Sequence, residues 1–200
     1  MWNEEKRIIE TQLVPGERLL WSGRPRQGVY LRGTDAALIP FSLLWCGFAI
    51  FWEVSVFKTD APFFFRLWGI PFVLVGLYMV FGRFFVDAKL RSKTYYGVTS
   101  ERVIIVSGLF STKTKSLNIR TLTEVTLDEK TSGGGTITFG PTPPISRWGG
   151  GAAFPGWGQQ QAPPGFELAQ GARKVYETIR AAQSQAAPSE AQRFIEPYRP

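Results

Sequence analysis

The sequence contains no histidine and only one cysteine, Cys46. The absence of histidine removes the usual general base at neutral pH and the commonest metal ligand. A single cysteine allows neither a disulfide within the chain nor a cysteine cluster around a metal. Hydroxyl groups are plentiful, but no motif places a base beside one to activate it. We therefore expect a protein that is not an enzyme, with no catalytic residue, no cofactor and no metal site.

Charged residues are scarce between residues 36 and 86. Residues 36–52 and 67–82 carry no charge at all, and each run continues past a single charged residue, Glu53 or Arg83. A bilayer core about 30 Å thick is crossed by about 20 helical residues. Each run reaches that length if its one charged residue lies near an interface.

We therefore predict a transmembrane helical hairpin over residues 36–86. Its helices should cover about 36–57 and 64–86, joined by a short linker that makes them antiparallel neighbours. A pair of core helices in a soluble protein is the alternative, although such helices usually alternate polar and apolar faces.

Basic residues are unevenly distributed around the two predicted spans. The connection between the spans contains only Lys58 and Arg66 as cations. The flanks on the other side contain seven basic residues: Arg24, Arg26, Arg32, Arg83, Lys89, Arg91 and Lys93. Because cytoplasmic flanks carry the excess of Lys and Arg, we expect both termini, and an N-terminal segment over 1–35, to be cytoplasmic. This asymmetry also accounts for the net charge of +7 without a nucleic-acid partner.

Two pairs of opposite charge fall at matched depths if the hairpin tip lies near Thr59. Glu53 should lie level with Arg66 at the outer interface, and Asp35 level with Arg83 at the inner one. We predict structural ion pairs at both places, where water is scarce. The alternative is that each charge reaches the interface independently.

The apolar pattern changes its period after the second span. Residues 94–99 and 102–107 are rich in β-branched and aromatic side chains and predict a β-hairpin. The same signals predict further strands over 116–120, 122–127, 136–140 and 166–168. An amphipathic helix is predicted over 172–183. The sequence thus predicts a mostly β domain over 87–185.

A segment rich in Pro, Gly, Trp and Gln covers residues 140–165 and predicts a long flexible insert. Its Trp148, Phe154 and Trp157 either pack against the β domain or enter lipid headgroups or a partner. Residues 186–200 predict a disordered tail.

Four segments resemble the bacterial pleckstrin-homology-like family, a group of small membrane-attached β domains. They are PGERLLWSGRP, YYGVTSERVIIVSG, SLNIRTLTEVTL and FELAQGARKVYETIRAAQ. The resemblance implies an α+β membrane protein in which the transmembrane hairpin is followed by a PH-like, mostly antiparallel β barrel. That barrel would have about seven strands and be capped by the C-terminal helix. The resemblance also implies the bacterial cytoplasmic (inner) membrane and no established catalytic residues.

Six basic residues are candidate contacts for anionic lipid or for a protein partner: Lys89, Arg91, Lys93, Lys113, Lys115 and Arg120. In eukaryotic relatives of the PH fold, early loops bind phosphoinositide headgroups through such cations. Attraction to an anionic surface contributes about 1 kcal/mol per cation. A loop that is simply solvated is the alternative.

Two functions stay open. The first is a non-catalytic, membrane-anchored module whose cytoplasmic β domain binds anionic phospholipid headgroups, an unknown protein, or a second copy of the chain. The second is an accessory subunit of a membrane transport or channel assembly, whose hairpin packs against other spans. Ser42, Gly47 and Gly76 are the candidate positions for such close contacts.

Overall fold

The computed structural model describes residues 2–31, 35–59, 61–141 and 163–186. Most of the predicted insert and tail, with Trp148, Phe154 and Trp157, lies outside these residues. The described residues form two compact units. We call residues 28–89 the hairpin unit. We call residues 2–27, 90–141 and 163–186 the β unit.

The architecture is α+β. The helices are α1 (Trp2–Glu10), α2 (Asp35–Lys58), α3 (Phe63–Leu77), α4 (Arg83–Ser92) and α5 (Ala172–Ala186). The strands are β1 (Leu19–Gly23), β2 (Tyr95–Thr99), β3 (Arg102–Ser107), β4 (Lys113–Asn118), β5 (Val125–Glu129), β6 (Gly135–Phe139) and β7 (Gly165–Leu168). A π-helical turn (Tyr78–Gly82) joins α3 to α4, and a 3-10 turn (Ile119–Thr121) follows β4.

Two helical stretches are long and apolar enough to cross a membrane, Leu38–Lys58 and Phe63–Ser92. The second is a continuous rod of 30 residues, because the π-helical turn does not interrupt it. At 1.5 Å per residue this rod is about 45 Å long, more than the apolar core of a bilayer. Compared with the predicted 64–86, it runs on to Ser92.

Small side chains bring α2 and α3 close together. Ser42, Cys46 and Ala49 share one face of α2 and are buried. A methyl group on Gly76 would lie 3.0 Å from the Cα of Cys46, so the glycine allows the close approach. A methyl group on Gly47 would meet nothing within 4 Å. Of the three positions named as candidates for contacts with other spans, Ser42 and Gly76 lie in this seam between α2 and α3, and Gly47 does not.

The β unit contains two antiparallel sheets, with strand orders β1-β2-β3-β4 and β5-β6-β7. Strand β1, which precedes the hairpin unit in the chain, pairs with β2, which follows it, placing Ser22 opposite Gly97. From the sequence we divided the chain into an N-terminal segment over 1–35 and a β domain over 87–185, and in the structure residues 2–27 group with the β unit. A local pattern cannot reveal this pairing, because its hydrogen bonds join segments more than 70 residues apart. Closure of the two sheets into one barrel stays a prediction.

The two faces of the four-stranded sheet are covered by different elements. Helix α1 covers one face, where Ile9 is fully buried against Tyr95, Ile104 and Val106. The close fit depends on Gly97, because a methyl group there would lie 2.6 Å from Cγ2 of Ile9. The other face of the sheet belongs to the main core.

Helix α5 contributes one face to the main core. Its buried residues are Ala172, Val175, Ile179 and Ala182. At the centre, the ring of Phe166 stacks on Tyr96 with centroids 4.4 Å apart and meets Phe139 edge-on at 5.1 Å. Trp21 of β1 also contacts Phe166, at 5.8 Å. The core therefore uses aromatic side chains from both sheets.

Two predicted strands are displaced in the structure. The strand predicted over 116–120 is β4, which ends at Asn118, and the chain then enters the 3-10 turn. The side-chain oxygen of Asn118 accepts a hydrogen bond from the Arg120 amide at 2.9 Å. Such a cap ends a strand locally. The strand predicted over 122–127 consequently starts only at Val125.

Candidate functional site

The carboxylate of Glu53 is buried on the seam of the hairpin unit. Both of its oxygens are closed to solvent, and neither has a hydrogen-bond partner among the described residues. Gly69 of α3 provides the space, since a methyl group there would overlap the Glu53 carboxylate and the Trp52 ring. A buried carboxylate in a helix that is long and apolar enough to cross a membrane is a functional candidate.

The predicted Glu53–Arg66 ion pair is not formed. Nη2 of Arg66 donates instead to the carbonyl oxygen of Thr59, 3.4 Å away. That carbonyl lies just beyond the end of α2, where no further turn of helix supplies it with a donor. The guanidinium also lies over the Phe57 ring, 5.9 Å from its centroid. Glu53 and Arg66 are equally far from the hairpin tip in sequence, but this did not bring their side chains into contact.

The structure does bring Asp35 and Arg83 together. Nη2 of Arg83 lies 3.3 Å from Oδ1 of Asp35, and the two side chains are only 13% and 9% exposed for Asp35 and Arg83 respectively. The guanidinium also lies over the ring of Phe84, 4.5 Å from its centroid. The π-helical turn ends immediately before Arg83. Its wider turn rotates the following residues relative to a regular α-helix.

An apolar groove of about 250 Å³ opens on the hairpin unit. Its lining residues are Trp45, Phe48, Ala49, Trp52, Trp68 and Phe72. Two of them, Ala49 and Trp52, come from the same part of α2 as Glu53. The groove offers contact area to an apolar group and almost no polar atoms.

The six candidate cations lie on different elements of the chain. Lys89 is exposed in the hairpin unit, and Lys93 is exposed after the end of α4. Arg91 is only 5% exposed, so it is not the surface contact that we predicted. Its carbonyl oxygen accepts a hydrogen bond from Nε2 of Gln27 at 3.2 Å.

The other three cations are all exposed in the β unit. Lys113 and Lys115 lie two residues apart on β4, so their side chains leave the same face of the strand. Arg120 follows in the 3-10 turn. Together with Lys93, these are the predicted contacts that the structure leaves accessible within the β unit.

An ionic network that we did not predict ties the N-terminal segment to β2 and β3. The carboxylate of Glu17 accepts two hydrogen bonds from Arg102, both 2.9 Å long. It also accepts one from the Thr99 hydroxyl at 2.6 Å and one from the Val14 amide at 3.0 Å. Arg102 donates a further bond to the carbonyl oxygen of Gln12 at 2.8 Å.

The pKa of Glu17 is strongly lowered by this network. Burial by itself raises the pKa, but the hydrogen bonds from Arg102, Thr99 and the Val14 amide outweigh it and lower the value from 4.5 to about 2. The pKa of Arg102 is raised, chiefly by its hydrogen bonds to Glu17. Both groups are therefore charged at neutral pH. The network therefore joins the N-terminal segment to β2 and β3 through the Glu17 carboxylate.

Within the described ranges no group of three or more Asp, Glu or Cys side chains is arranged to hold a metal ion. Comparison with known proteins found no relative of the chain. No family model, no curated protein and no solved structure matches it.

The sequence contains a signal that could have located the Glu53 site. Gly69 and Gly76 lie seven residues apart on α3, which places them on one face of the helix. Glu53 continues the spacing of the small residues on α2 and so belongs to the face that meets them. The Glu17–Arg102 pair has no such signal, because its partners lie 85 residues apart.

Proposed function

We propose that the chain is a non-catalytic, membrane-anchored binding module. Its two long apolar helices cross the bilayer as a hairpin, with both termini in the cytoplasm. Its β unit presents a surface to anionic phospholipid headgroups or to a protein partner at the cytoplasmic face.

The pairing of β1 with β2 carries this proposal. One of these strands precedes the hairpin unit in the chain and the other follows it. Two strands can share a sheet only if both lie on the same side of a membrane. An even number of spans between them meets this condition, because the second helix returns the chain to the side from which the first left. The excess of basic residues on the flanks supports the cytoplasmic side.

The β unit is also proposed to be a PH-like domain. The described residues contain seven strands, four in one sheet and three in the other, followed by a helix that contributes to the core. The resemblance implied about seven strands and a capping helix. In a membrane-anchored domain of this kind, the accessible cations Lys113, Lys115 and Arg120 would supply the attraction to anionic lipid.

Topology is tested with single cysteines in the full chain after Cys46→Ala. Thr59→Cys should react with an impermeant reagent in intact cells, because it lies at the tip of the hairpin. Ser111→Cys, on the β unit, should react only after permeabilisation. Labelling of Ser111→Cys in intact cells would refute the cytoplasmic assignment.

Binding is tested on the full chain in lipid nanodiscs. Anionic lipid should slow amide hydrogen exchange or reduce lysine labelling on the β unit, relative to phosphatidylcholine alone. If it has no effect, crosslinking in native membranes should instead capture a protein on the β unit. A β unit that is unaffected in both experiments would refute the proposal.

The buried carboxylate of Glu53 favours a second candidate, an accessory subunit of a transport or channel assembly. A carboxylate that lacks a hydrogen-bond partner within the described residues is costly in an apolar medium. Such a cost is expected where the group has a role. Glu53→Gln should then reduce the transport activity or the association of the assembly that copurifies with the chain. Copurification of no other membrane protein would exclude this candidate.

A further inference from the structure

The connection between β3 and β4 presents an aromatic side chain entirely to solvent. Phe110 is 103% exposed, the highest value among the exposed large apolar side chains of the described residues. Its neighbour Leu109 is 37% exposed. The sequence pattern gave no reason to single out either residue. With its exposed neighbour Leu109, Phe110 offers apolar surface at the tip of the loop to a partner that can bury it.

The loop has a defined backbone conformation. Gly108 adopts a φ of +153° at the end of β3. A Cβ at this position would overlap the carbonyl oxygen of Ser111, so only glycine fits. The backbone therefore turns back tightly on itself, with Leu109 and Phe110 at the turn. Leu109 and Phe110 thus lie at the tip of a well-defined turn between the paired strands β3 and β4.

The charge around the loop has one sign. Residues 107–123 contain three cations, Lys113, Lys115 and Arg120, and no Asp or Glu. Lys113 and Lys115 are exposed, and neither has an acidic partner among the described residues. An apolar tip beside unpaired cations matches a bilayer with anionic headgroups, in which apolar and negatively charged groups lie a few ångströms apart.

We propose that the β3–β4 loop is a docking loop for an anionic bilayer surface. Phe110 and Leu109 enter the headgroup region, and Lys113 and Lys115 contact the anionic headgroups. This inference rests on the proposed function, because the hairpin keeps the β unit near the bilayer. Tethering supplies a high effective concentration, so a small loop is sufficient for docking.

The expected effects follow from the two kinds of contact. Each lysine near an anionic surface contributes about fivefold to the docking equilibrium. Lys113→Gln with Lys115→Gln should therefore reduce docking about 25-fold. Phe110→Ser should reduce it about tenfold or more, because the burial of the ring is lost. These side chains are exposed, so the variants should keep the fold.

The experiment uses the full chain in nanodiscs, with Cys46→Ala and an environment-sensitive fluorophore on Ser111→Cys. The matched control carries the fluorophore on Thr131→Cys, which is exposed in the turn between β5 and β6. In discs that contain phosphatidylglycerol, the Ser111 probe should shift to the blue and be quenched by spin-labelled lipid. The Thr131 probe should stay unchanged. Lys174→Gln, on α5, is the control for loss of one exposed charge.

Three outcomes would overturn the inference. The Ser111 probe could stay in water with anionic lipid, or respond equally in pure phosphatidylcholine, or respond only through contact with a second copy of the chain. Failure of the loop is distinguishable from failure of the proposed function. If anionic lipid protects other amides of the β unit while the probe stays in water, the docking role of the β3–β4 loop is refuted. The proposal that the chain is a membrane-anchored binding module is then retained.

Discussion

Glu17 and Arg102 form a parallel, two-bond ion pair, from Nε to Oε1 and from Nη2 to Oε2, with each bond 2.9 Å long. The Glu17 side chain is 1% exposed and that of Arg102 is 25% exposed. Glu17 precedes β1, whereas Arg102 begins β3, after the hairpin unit. The pair therefore links the two segments of the β unit that the hairpin separates in the chain.

The stability of the β unit should fall in acid because of Glu17. Its pKa is about 2 in the folded protein, against 4.5 for an unperturbed glutamate side chain. A lowered folded-state pKa stabilises the fold above the unfolded value, and this stabilisation is lost as the pH falls from about 4.5 towards 2. The shift corresponds to about 3 kcal/mol.

The measurement is the midpoint of β-sheet unfolding in detergent, followed by the infrared amide I band. Wild type should exceed Glu17→Gln in stability at pH 7, and the difference should disappear near pH 2. Glu177→Gln, an exposed position on α5, is the control and should change little at either pH. A constant difference between wild type and Glu17→Gln would show that the carboxylate is not ionised in the fold.

The pair should also show strong coupling in a double-mutant cycle. Arg102→Gln leaves the buried carboxylate without its main partner and should cost about 3 kcal/mol or more at pH 7. Glu17→Gln should cost about 2 to 3 kcal/mol. The double variant should cost clearly less than the sum, because the second change removes a charge that the first left unpaired. Additive losses would mean that the two side chains act independently.

The sequence was sufficient for elements that depend on local patterns. Strand β3 has the predicted bounds, 102–107, and α2 differs from the predicted 36–57 by one residue at each end. Both follow from runs of one residue class with clear breaks at either side. The pairing of β1 with β2 could not be predicted in this way, since no local signal records which distant strand completes a sheet.

The ion pairs of the hairpin unit also show that sequence position alone does not identify which side chains make contact. Counting residues from the tip gives the depth of a side chain but not the direction in which it leaves its helix. Asp35 and Arg83 share both depth and direction. Arg66 shares only depth with Glu53, and it reaches the nearby carbonyl of Thr59 instead. The choice between these partners depends on helix rotation, which the seam of small residues determines.

The seam itself should be sensitive to a single methyl group. Gly76→Ala places a methyl group 3.0 Å from the Cα of Cys46, so the helix backbones have to separate. We expect a loss of about 1 to 3 kcal/mol, read as a lower thermal midpoint of the helical circular-dichroism signal in detergent. Gly47→Ala is the matched control on α2, where the added methyl group meets nothing within 4 Å. It should be neutral or stabilising by up to about 1 kcal/mol. Equal losses in both variants would contradict the packing.

The two pairs of opposite charge in the hairpin unit should respond differently to exchange of their charges. Asp35 and Arg83 are in contact and nearly buried. Removing one partner, as in Asp35→Asn or Arg83→Gln, should cost about 2 to 4 kcal/mol, because the remaining charge is left unpaired. The exchange Asp35→Arg with Arg83→Asp should recover more than half of the summed cost of the two single reversals.

The same exchange at positions 53 and 66, near the tip of the hairpin, should recover nothing, because Glu53 and Arg66 do not touch. Arg66→Gln removes a long hydrogen bond to a carbonyl and the contact of the guanidinium with the Phe57 ring, and it should cost about 1 kcal/mol or less. The exchange Glu53→Arg with Arg66→Glu should equal the sum of the single reversals within about 0.5 kcal/mol. Its Glu53→Arg component should be severe, since Gly69 leaves space for the existing carboxylate and not for a longer side chain. All variants are compared by thermal unfolding in one detergent. Recovery at positions 53 and 66 would show that depth alone selects partners in this hairpin, and absence of recovery at 35 and 83 would show that their contact contributes no net stability.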